Sequence, residues 1–345
     1  MRILVTGGAG FIGSCFVRLA VQNSSLEIVN IDKLTYAGNL ENLATIADRP
    51  GYRFIKADIC DLEGLKRIFA ECKPDAVVHF AAESHVDRSI FAPQPVFDTN
   101  LKGSFNLLET MRAQRVARFV HVSTDEVYGS LEAPLEADEK FPLQPSSPYS
   151  AAKAGSDLLA LGYHTTYKLP VIVTRASNNY GPYQFPEKLI PLMISNALEN
   201  KRLPVYGDGM QIRDWLYVED HCRAILAVLE KGHDGEIYNI GGNCSLPNKT
   251  VIERILAITE KPASLIEYVT DRPGHDRRYA LSSAKLMQET GWSPQMDFER
   301  GLAVTVEWYR SNPEWVQHVR SGEYQTYYAR NYENRKRELS GIASM

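Results

Sequence analysis

The sequence predicts an α/β fold in which helices cover both faces of a parallel sheet, the doubly wound arrangement. Apolar runs of strand length alternate with helical patterns along the first half of the chain, as crossover connections between parallel strands require. The first run leads directly into a glycine-rich turn. With 345 residues and 44% hydrophobic content, the chain exceeds the usual size of one core, so a smaller second lobe is expected.

Six apolar runs are predicted to form the main sheet. They are Arg2–Thr6, Leu26–Ile31, Tyr52–Lys56, Ala76–Phe80, Arg118–Val122 and Pro170–Arg175. Helical patterns between them cover Leu62–Glu71, Val96–Gln114 and Pro148–Tyr167. Up to about Arg175 the chain therefore predicts one doubly wound domain.

Beyond that point the pattern breaks into shorter elements, which suits a separate lobe. Strands are expected at Leu203–Tyr206 and Glu236–Ile240, with a helix start near Phe185 and a helix at Val218–Glu230. The helix at Val218–Glu230 and the strand at Glu236–Ile240 are expected to return to the first sheet. The tail rich in Tyr, Arg and Lys, residues 324–336, is either a docked terminal helix or a frayed one.

These patterns predict two lobes that are discontinuous in sequence. Residues 1–177 and about 212–242 are assigned to a Rossmann-type domain. Residues from about 178 to 211 and from 243 to 345 are assigned to a smaller α/β lobe that binds the substrate.

The glycine-rich loop is the strongest local signal. Gly8, Gly10 and Gly13 satisfy G-x-G-x-x-G, in which the missing side chains permit a tight turn and close approach of backbone amides to a pyrophosphate. The N–H groups that open the next helix point at the phosphates. Asp32 ends the second strand, where its carboxylate can bind an adenosine ribose and repel a 2′-phosphate. The pattern predicts NAD rather than NADP, although Lys33 weakens the exclusion.

Charge and cysteine content argue against several classes of protein. A net charge of −4 provides no general field for a nucleic-acid backbone or an anionic membrane. The five cysteines are odd in number and lack a C-x-x-C pair, so they are interpreted as reduced apolar residues. No charged leader with an apolar signal segment and no span of membrane length is apparent. We expect a cytoplasmic protein with no nucleic-acid polymer or membrane as partner.

A tyrosine and a lysine form the first catalytic candidates. Tyr149 and Lys153 lie four residues apart in a helical pattern, on one face. A phenol titrates near ~10, and a neighbouring ammonium that favours the phenolate makes it a usable base at neutral pH. The same spacing occurs in a predicted strand, at residues 52 and 56, and in the polar tail, at 332 and 336. In a strand, four residues span roughly 13 Å, so the side chains of residues 52 and 56 cannot bond directly. The pair in the polar tail is interpreted as a solvated helix face.

With these residues the chain resembles the extended short-chain dehydrogenase/reductase superfamily, and within it the nucleotide-sugar 4,6-dehydratases, those acting on dTDP-glucose in particular. The glycine loop and the Tyr/Lys pair belong to the broad superfamily, whereas the Thr-Asp-Glu and Asp-Arg-Pro-Gly-His segments are more specific to the 4,6-dehydratases. The matching segments are Thr6–Ser14, Asp58–Ile59, Ala81–Ser89, Thr124–Gly129, Tyr149–Lys153, Arg175–Pro182 and Asp271–Asp276.

The resemblance implies a dehydration in which NAD is regenerated at each turnover. Tyr149 takes the proton from the hydroxyl on sugar carbon four during oxidation, Glu126 removes the carbon-five proton, and Asp125 protonates the departing carbon-six hydroxyl. Thr124 and Lys153 complete the implied catalytic set. Asp125 then needs a raised pKa, which burial and the charge of Glu126 would supply. On composition alone, the two acids would be interpreted as an exposed turn.

The resemblance also implies binding residues. Those for the cofactor are Gly7, Gly10, Phe11, Ile12, Gly13, Asp32, Lys33, Leu34, Thr35, Asp58, Ile59, Phe80, Ala81, Ala82, Ser84, Thr99, Tyr149, Lys153 and Asn179. Those for the nucleotide sugar are Ser84, Thr124, Asn178, Lys188, Leu189, Pro204, Tyr206, Arg213, Asn248, Asp271, Arg272 and His275. His79, His121 and His221 lack ligand spacing and are interpreted as core histidines, so no metal is expected. In the resembling superfamily the two long helices, here Val96–Gln114 and Pro148–Tyr167, pair with those of a second copy, so the resemblance also implies a homodimer.

Three other functions stay open on the sequence. An epimerase or decarboxylase could use the same scaffold, but an epimerase has no use for the paired acids, since only net water loss requires an acid for the leaving hydroxyl and a base for the carbon proton. A CDP- or GDP-sugar 4,6-dehydratase differs in the nucleotide alone. A non-catalytic NAD sensor would have no reason to keep the Tyr/Lys pair and both acids together.

Overall fold

The computed structural model describes residues 1–320 of the chain. The predicted tail helix at 324–336 lies outside the described residues. The strands are β1 Arg2–Thr6, β2 Glu27–Asp32, β3 Tyr52–Lys56, β4 Ala76–His79, β5 Arg118–Thr124, β6 Val171–Ala176, β7 Asn178–Tyr180, β8 Leu203–Tyr206, β9 Ile212–Tyr217, β10 Ile237–Ile240, β11 Ser245–Pro247 and β12 Ile266–Val269.

Helices connect and cover these strands. They are α1 Phe11–Ala20, α2 Leu62–Cys72, α3 Val86–Phe91, α4 Pro93–Val96, α5 Ser104–Gln114, α6 Pro148–Tyr167, α7 Leu189–Leu198, α8 Val218–Lys231, α9 Asn248–Thr259, α10 Ala284–Thr290, α11 Phe298–Ser311 and α12 Pro313–Val319. Among the described residues, no helix has both the length and the apolarity needed to cross a bilayer.

Seven strands form one parallel sheet in the order β10-β6-β5-β4-β1-β2-β3. The predicted doubly wound Rossmann-type fold is therefore confirmed. The order runs outward in both directions from the β1–β4 pair, which makes that pair the topological switch point. In open sheets of this kind, ligands bind beyond the carboxyl ends of the strands at the switch point.

Two hydrophobic cores lie on the opposite faces of this sheet. One contains residues of α1, α8 and α10, including Phe16, Ile225 and Leu286. The other contains residues of α2, α5 and α6, including Phe69 and Leu108. Every residue of β6 is buried, as expected for a central strand covered on both faces.

The smaller lobe has its own core and two short sheets. A three-stranded sheet has the order β11-β9-β7, and β8 pairs with β12 in parallel. Residues of α7, α9 and α11 bury their apolar faces in this core, including Ile194, Ile255 and Leu302. These elements place β8 and β9 next to the first domain.

The division between the lobes differs from the expected one in two places. α8 and β10 do return to the first domain, and β10 pairs with β6. Residues 212–217, however, pair with β7 and β11 in the smaller sheet. The segment around α10 lies in the first core through Leu286 and Trp292, because its apolar residues complete the face covered by α8.

Two predicted helices also begin at other positions. The stretch predicted at Val96–Gln114 starts at Pro93 and contains a π-helical segment, Phe97–Gly103, before α5. A π-helical turn shifts the side-chain register, so a regular period cannot reveal it. α7 begins at Leu189 rather than near Phe185, since a residue that precedes a proline is disfavoured in helical conformation.

Candidate active site

One continuous cleft opens at the switch point of the main sheet, and the glycine loop forms its floor. A side chain on Gly7, which has φ +72°, would place Cβ 2.6 Å from the Cα of Ala81 on the neighbouring strand end. At Gly13 a Cβ would lie 2.2 Å from the carbonyl oxygen of Gly7. Both positions therefore require glycine, and the tight turn brings the first amides of α1 to the cleft.

Asp32 fixes the loop beside this floor. One carboxylate oxygen accepts from the amide of Ala9 at 3.0 Å, and the other accepts from the amide of Leu34 at 2.8 Å. Burial raises the pKa of Asp32, while the two N–H donors oppose that rise. The ammonium of Lys33 lies 2.7 Å from a carboxylate oxygen of Asp58. Its charge is thus paired with Asp58, which reduces the expected weakening of 2′-phosphate exclusion.

The residues predicted for the cofactor converge on the same cleft. All of them line it except Leu34. The side chain of Leu34 packs against the first core instead, because the residue adopts a left-handed conformation with φ 58°. Its neighbours Lys33 and Thr35 do line the cleft.

The two acids follow β5 in a short 3-10 turn, Asp125–Tyr128. Thr124 caps this turn by accepting from the amide of Glu126 at 3.3 Å, and its hydroxyl donates to Asp125 Oδ1 at 3.3 Å. Asp125 is only 3% exposed, and its Oδ2 has no hydrogen-bond partner among the described residues. Burial first, and then the charge of Glu126, hold the pKa of Asp125 well above its ordinary value. The direction of this shift is the one that a general acid requires.

Tyr149 and Lys153 reach the cleft from the first turns of α6. Ser147 and Ser150 form a reciprocal capping box that starts this helix at Pro148. The ammonium of Lys153 donates to the carbonyl oxygen of Val122 at 2.7 Å. Burial lowers the pKa of Lys153 to about 8. Both side chains line the cleft, as the helical spacing predicted.

The protonation of Tyr149 differs from the simple expectation. Burial and the charge of Glu126 raise the pKa of its phenol, against a hydrogen bond with Thr124. The ammonium of Lys153, which was expected to lower this pKa, donates to the carbonyl oxygen of Val122.

The predicted substrate residues fall into two groups. Ser84, Thr124, Asn178, Lys188 and Leu189 line the cleft. The others do not line it and lie on β8, β9, the start of α9 and the 271–276 segment of the smaller lobe: Pro204, Tyr206, Arg213, Asn248, Asp271, Arg272 and His275.

Asp87 connects the second group to the cleft. The hydroxyl of Tyr206 donates to Asp87 Oδ2 at 2.8 Å, and Nε of Arg272 lies 3.8 Å from Oδ1. Asp87 belongs to α3, which begins two residues after the cleft residue Ser84. Through Asp87, the residues of the second group are connected to the cleft, although they lie in the smaller lobe.

Arg213 occupies a buried position in this second group. Its guanidinium donates to the carbonyl oxygens of Ile212 and Asp276 at 2.8 and 2.9 Å, and it lies 4.1 Å above the ring of Tyr279. Asn248 nearby has a buried side-chain oxygen without a partner among the described residues.

The three interpreted core histidines are all buried. His79 lies between the hydroxyls of Thr6 and Ser104, and His121 contacts Ser156. His221 differs because it also lines the cleft and hydrogen-bonds the side chain of Asn179 at 2.9 Å. In the part of the chain that the structure describes, no group of three or more metal-ligating side chains occurs.

Further cleft residues escaped the sequence reasoning. Gln184, Phe185 and Glu187 line the cleft from the loop that precedes α7. Arg88 of α3 pairs with Glu187 at 3.1 Å and covers the ring of Tyr36 at 3.6 Å. The Pro-Tyr-Gln-Phe-Pro-Glu run beside Asn178 was visible in the sequence, but no residue in it carried a recognisable chemical pattern.

A Rossmann-type sheet, a glycine loop at its switch point and a Tyr/Lys pair beside it define a member of the extended short-chain dehydrogenase/reductase superfamily. Residues 4–305 match the family model described as GDP-mannose 4,6 dehydratase. The chain is 54% identical to a dTDP-glucose 4,6-dehydratase of Shigella flexneri, over 97% of this chain and 100% of that protein. It belongs to the dTDP-glucose 4,6-dehydratases, a family of enzymes.

Solved structures agree with this assignment. A dTDP-glucose 4,6-dehydratase from Bacillus anthracis in complex with NAD is 52% identical, with a TM-score of 0.87 over 92% of this chain and 99% of that chain. A UDP-glucose 4-epimerase from Thermus thermophilus in complex with NAD shares the fold at 33% identity, with a TM-score of 0.84 over 90% of this chain and 100% of that one. The sequence similarity therefore favours the dehydratases over the epimerases that share the scaffold.

Proposed function

We propose that this enzyme converts dTDP-glucose to dTDP-4-keto-6-deoxyglucose and water, and that it keeps NAD bound through the cycle. The observation that carries the proposal is the buried Asp125, adjacent to Glu126 and in the same cleft as Tyr149 and the glycine loop. A reaction that removes water needs both an acid and a base at the sugar, and this cleft supplies both.

The cleft fits a dinucleotide at three separate points. Gly10 leaves open space on the cleft side of the loop, because a Cβ there would approach other protein atoms no closer than 3.4 Å. Asp32 can accept further hydrogen bonds from a ribose, since each of its oxygens bonds one amide. The side chains of Ser123 and Asn178 carry buried oxygens without partners among the described residues. NAD, when bound, supplies the hydride acceptor for carbon four and returns the hydride to carbon six.

Tyr149 is the base for the oxidation half. Its buried phenol has a raised pKa, so it takes a proton from the sugar only when positive charge stabilises the phenolate. Lys153, one helical turn away on the same face, is the cation that this chain provides. Thr124, which hydrogen-bonds the phenol, orients it.

Asp125 and Glu126 divide the elimination between them. Asp125 is kept protonated by burial and by the neighbouring charge, so it can deliver a proton to the hydroxyl that leaves carbon six. Glu126 takes the proton from carbon five, and carbon five regains a proton when the hydride is returned to carbon six. The two carboxyl groups can thus act as acid and base because their surroundings differ, as in other enzymes that use paired acids.

Recognition of the nucleotide diphosphate is assigned to the second substrate group. Arg213 and Arg272 lie on the smaller lobe, and both interact electrostatically with Glu126. A guanidinium can bond two phosphate oxygens at once. The thymidine nucleotide, rather than a cytidine or guanosine one, is supported by the names of the relatives at 52–54% identity.

We also propose that the enzyme is a homodimer in a reducing cytoplasm. Phe97, Phe105 and Leu158 are 51%, 41% and 59% exposed on the two long helical stretches, although those stretches already bury other residues against the sheet. A second copy that packs its own helices here would form a four-helix bundle. Reduced conditions are supported by the five free cysteines.

The proposed reaction is tested by incubating the purified protein with dTDP-glucose without added NAD. Proton NMR should show the 4-keto-6-deoxy sugar, with deuterium at carbon five when the solvent is D₂O. The appearance of dTDP-galactose instead would establish an epimerase. Unchanged substrate, with NAD supplied in excess, would reject both activities.

A further inference from the structure

A buried charged cluster lies directly behind Lys153. On α6, Lys153 and Asp157 are one helical turn apart and are 4% and 0% exposed. Side chains four residues apart on a helix face the same side. The carboxylate is therefore close to the ammonium but on the side away from the cleft, since Asp157 does not line the cleft and Lys153 does.

One carboxylate oxygen of Asp157 accepts a hydrogen bond from a neighbouring strand, and the other has no hydrogen-bond partner among the described residues. Nε of Arg175, on β6, donates to Asp157 Oδ2 at 2.9 Å. Nε2 of His121, on β5, lies 3.3 Å from Oδ1. Arg175 in turn donates to the hydroxyl of Tyr128 at 3.0 Å, which fixes the guanidinium from its other end.

The charge of Lys153 depends on this arrangement. Burial lowers the pKa of the ammonium to about 8, and Asp157 is the group that opposes this lowering. Of the other groups that face the cluster, His79 on β4 and His121 on β5 have pKa values lowered by burial, so they are neutral near pH 7. Arg175 is positive and would disfavour a second positive charge. The pKa of Asp157 itself is lowered, against the effect of burial, by His121 and Arg175.

We propose that Asp157 is a positioning residue: its carboxylate, held by Arg175, keeps Lys153 as the ammonium that acts on Tyr149 and on the bound dinucleotide. The role assigned to Lys153 rests on the proposed function. Asp157 touches neither substrate nor cofactor and acts through Lys153.

A purely structural role for Asp157 makes a different prediction. Asp157 and Arg175 form a buried ion pair, and removal of either partner leaves an uncompensated buried charge. If the pair serves only packing, replacing either residue should harm the protein in the same way. If the carboxylate acts on Lys153, only the loss of Asp157 should change the titration of the lysine.

The test measures NAD affinity against pH by equilibrium dialysis of the full-length chain, with no sugar present. In the unmodified protein the affinity should fall as pH rises through about 8, where Lys153 loses its proton. In Asp157→Asn the same fall should occur at least about one pH unit lower, because a neighbouring opposite charge typically shifts a pKa by about one to three units. We call the pH at which NAD affinity falls the affinity break. Arg175→Gln keeps the carboxylate, so its affinity break should stay at the same pH or move to a higher one.

A double variant covers the case in which Asp157→Asn does not fold. Asp157→Asn/Arg175→Gln removes both charges and leaves no uncompensated ion, yet it should still show the lowered break. An unchanged break in the double variant, or an equal downward shift in Arg175→Gln alone, would overturn the positioning role. So would the lack of any break near pH 8 in the unmodified protein.

This experiment is independent of the sugar chemistry. A break that moves as expected, together with no keto-sugar product from the unmodified enzyme, would reject the proposed reaction and retain the role of Asp157. Normal product formation, together with an unmoved break in the Asp157 variants, would retain the proposed reaction and reject the role of Asp157. The turnover profile of active variants should show the same shift on its alkaline side.

Discussion

At the residue scale, surroundings rather than residue type decide what each group can do. Asp125 and Glu126 follow β5. If that strand ended at the protein surface, the two acids would form an exposed turn. Here Asp125 is buried and accepts a hydrogen bond from the hydroxyl of Thr124, and its pKa is raised well above the ordinary value. A carboxylic acid that stays protonated is what the leaving hydroxyl requires.

The roles of Tyr149 and Asp125 can be separated by kinetics. Tyr149→Phe should abolish the NADH absorbance on mixing with dTDP-glucose, because no base remains for the carbon-four hydroxyl. Asp125→Asn should still oxidise carbon four and then stall, so NADH should accumulate while product formation falls by about 10² to 10⁴. The exposed Asp48 offers a control, since Asp48→Asn should behave like the unmodified enzyme. Normal product formation by Asp125→Asn would contradict the elimination mechanism.

The raised pKa of Asp125 also predicts a change in stability. Its pKa is higher in the folded state than the ordinary value of 3.8, so the folded state binds more protons and its stability falls as pH rises from that value through the folded pKa. Asparagine does not titrate. Asp125→Asn should therefore be more stable than the unmodified protein at pH 7, and the gain should shrink toward pH 5.

Urea unfolding at several pH values measures this gain. Each pKa unit of difference between the folded and unfolded states corresponds to about 1.4 kcal/mol. Asp48→Asn should show no such pH-dependent gain. A loss of stability in Asp125→Asn that is the same at every pH would indicate that the acid contributes packing rather than a strained charge.

At the element scale, the connection between β1 and α1 has two kinds of glycine. Gly13 is required by the fold, because an added Cβ would lie 2.2 Å from the backbone oxygen of Gly7. Gly10 has an extended conformation with φ −75° that any residue can adopt. Its Cβ would make ordinary contact at 3.4 Å. The open space beside Gly10 is where a pyrophosphate would approach.

Alanine at these two positions should therefore have different effects. Gly13→Ala should lower the stability of the protein by about 1–3 kcal/mol, the usual cost of overpacking. Gly10→Ala should unfold at nearly the normal temperature but bind NAD at least about tenfold more weakly, because its methyl group excludes the pyrophosphate. Thermal unfolding and equilibrium dialysis measure the two effects. Equal NAD affinity in Gly10→Ala and the unmodified protein would argue against a pyrophosphate on this loop.

At the scale of the whole molecule, the main sheet is covered on both faces, and an apolar surface still remains on one of its helical layers. Phe105 and Leu158 are exposed on α5 and α6, although Leu108 of α5 and Ala160 of α6 are buried in the core beneath. One apolar face of each helix is explained by its own sheet. The second face is available to the partner copy that we propose.

Light scattering at micromolar concentration should give twice the chain mass. Leu158→Glu places a charge on the proposed interface and should weaken the dimer by at least about tenfold in dissociation constant, since an unpaired buried charge is costly. Val304 is 42% exposed on α11, so Val304→Glu is a matched control that should remain dimeric. A monomer mass for the unmodified protein would reject the dimer.

Much of the fold and many site positions could be predicted from contiguous residues. The glycine loop, the apolar strands and the Tyr/Lys spacing each report a local backbone requirement, so they place a dinucleotide site at the end of β1 without tertiary information. The helix predicted at Pro148–Tyr167 has those bounds in the structure, where Ser147 caps it. The register of the π-helical segment at Phe97–Gly103 was not predictable, because it breaks the period by which helices are recognised.

The tertiary structure alone decided the properties that depend on distant charges and on burial. Lys33 forms an ion pair with Asp58, and Asp125 is shielded from water. Burial disfavours the charged form of Lys153, and Asp157 favours it. Folding also assigned residues 212–217 to the smaller sheet and α10 to the first core. The sequence by itself determined which chemical groups are available and where the backbone must turn. Their protonation was decided by packing, because a pKa responds to every charge and apolar surface within a few ångströms, whatever their separation along the chain.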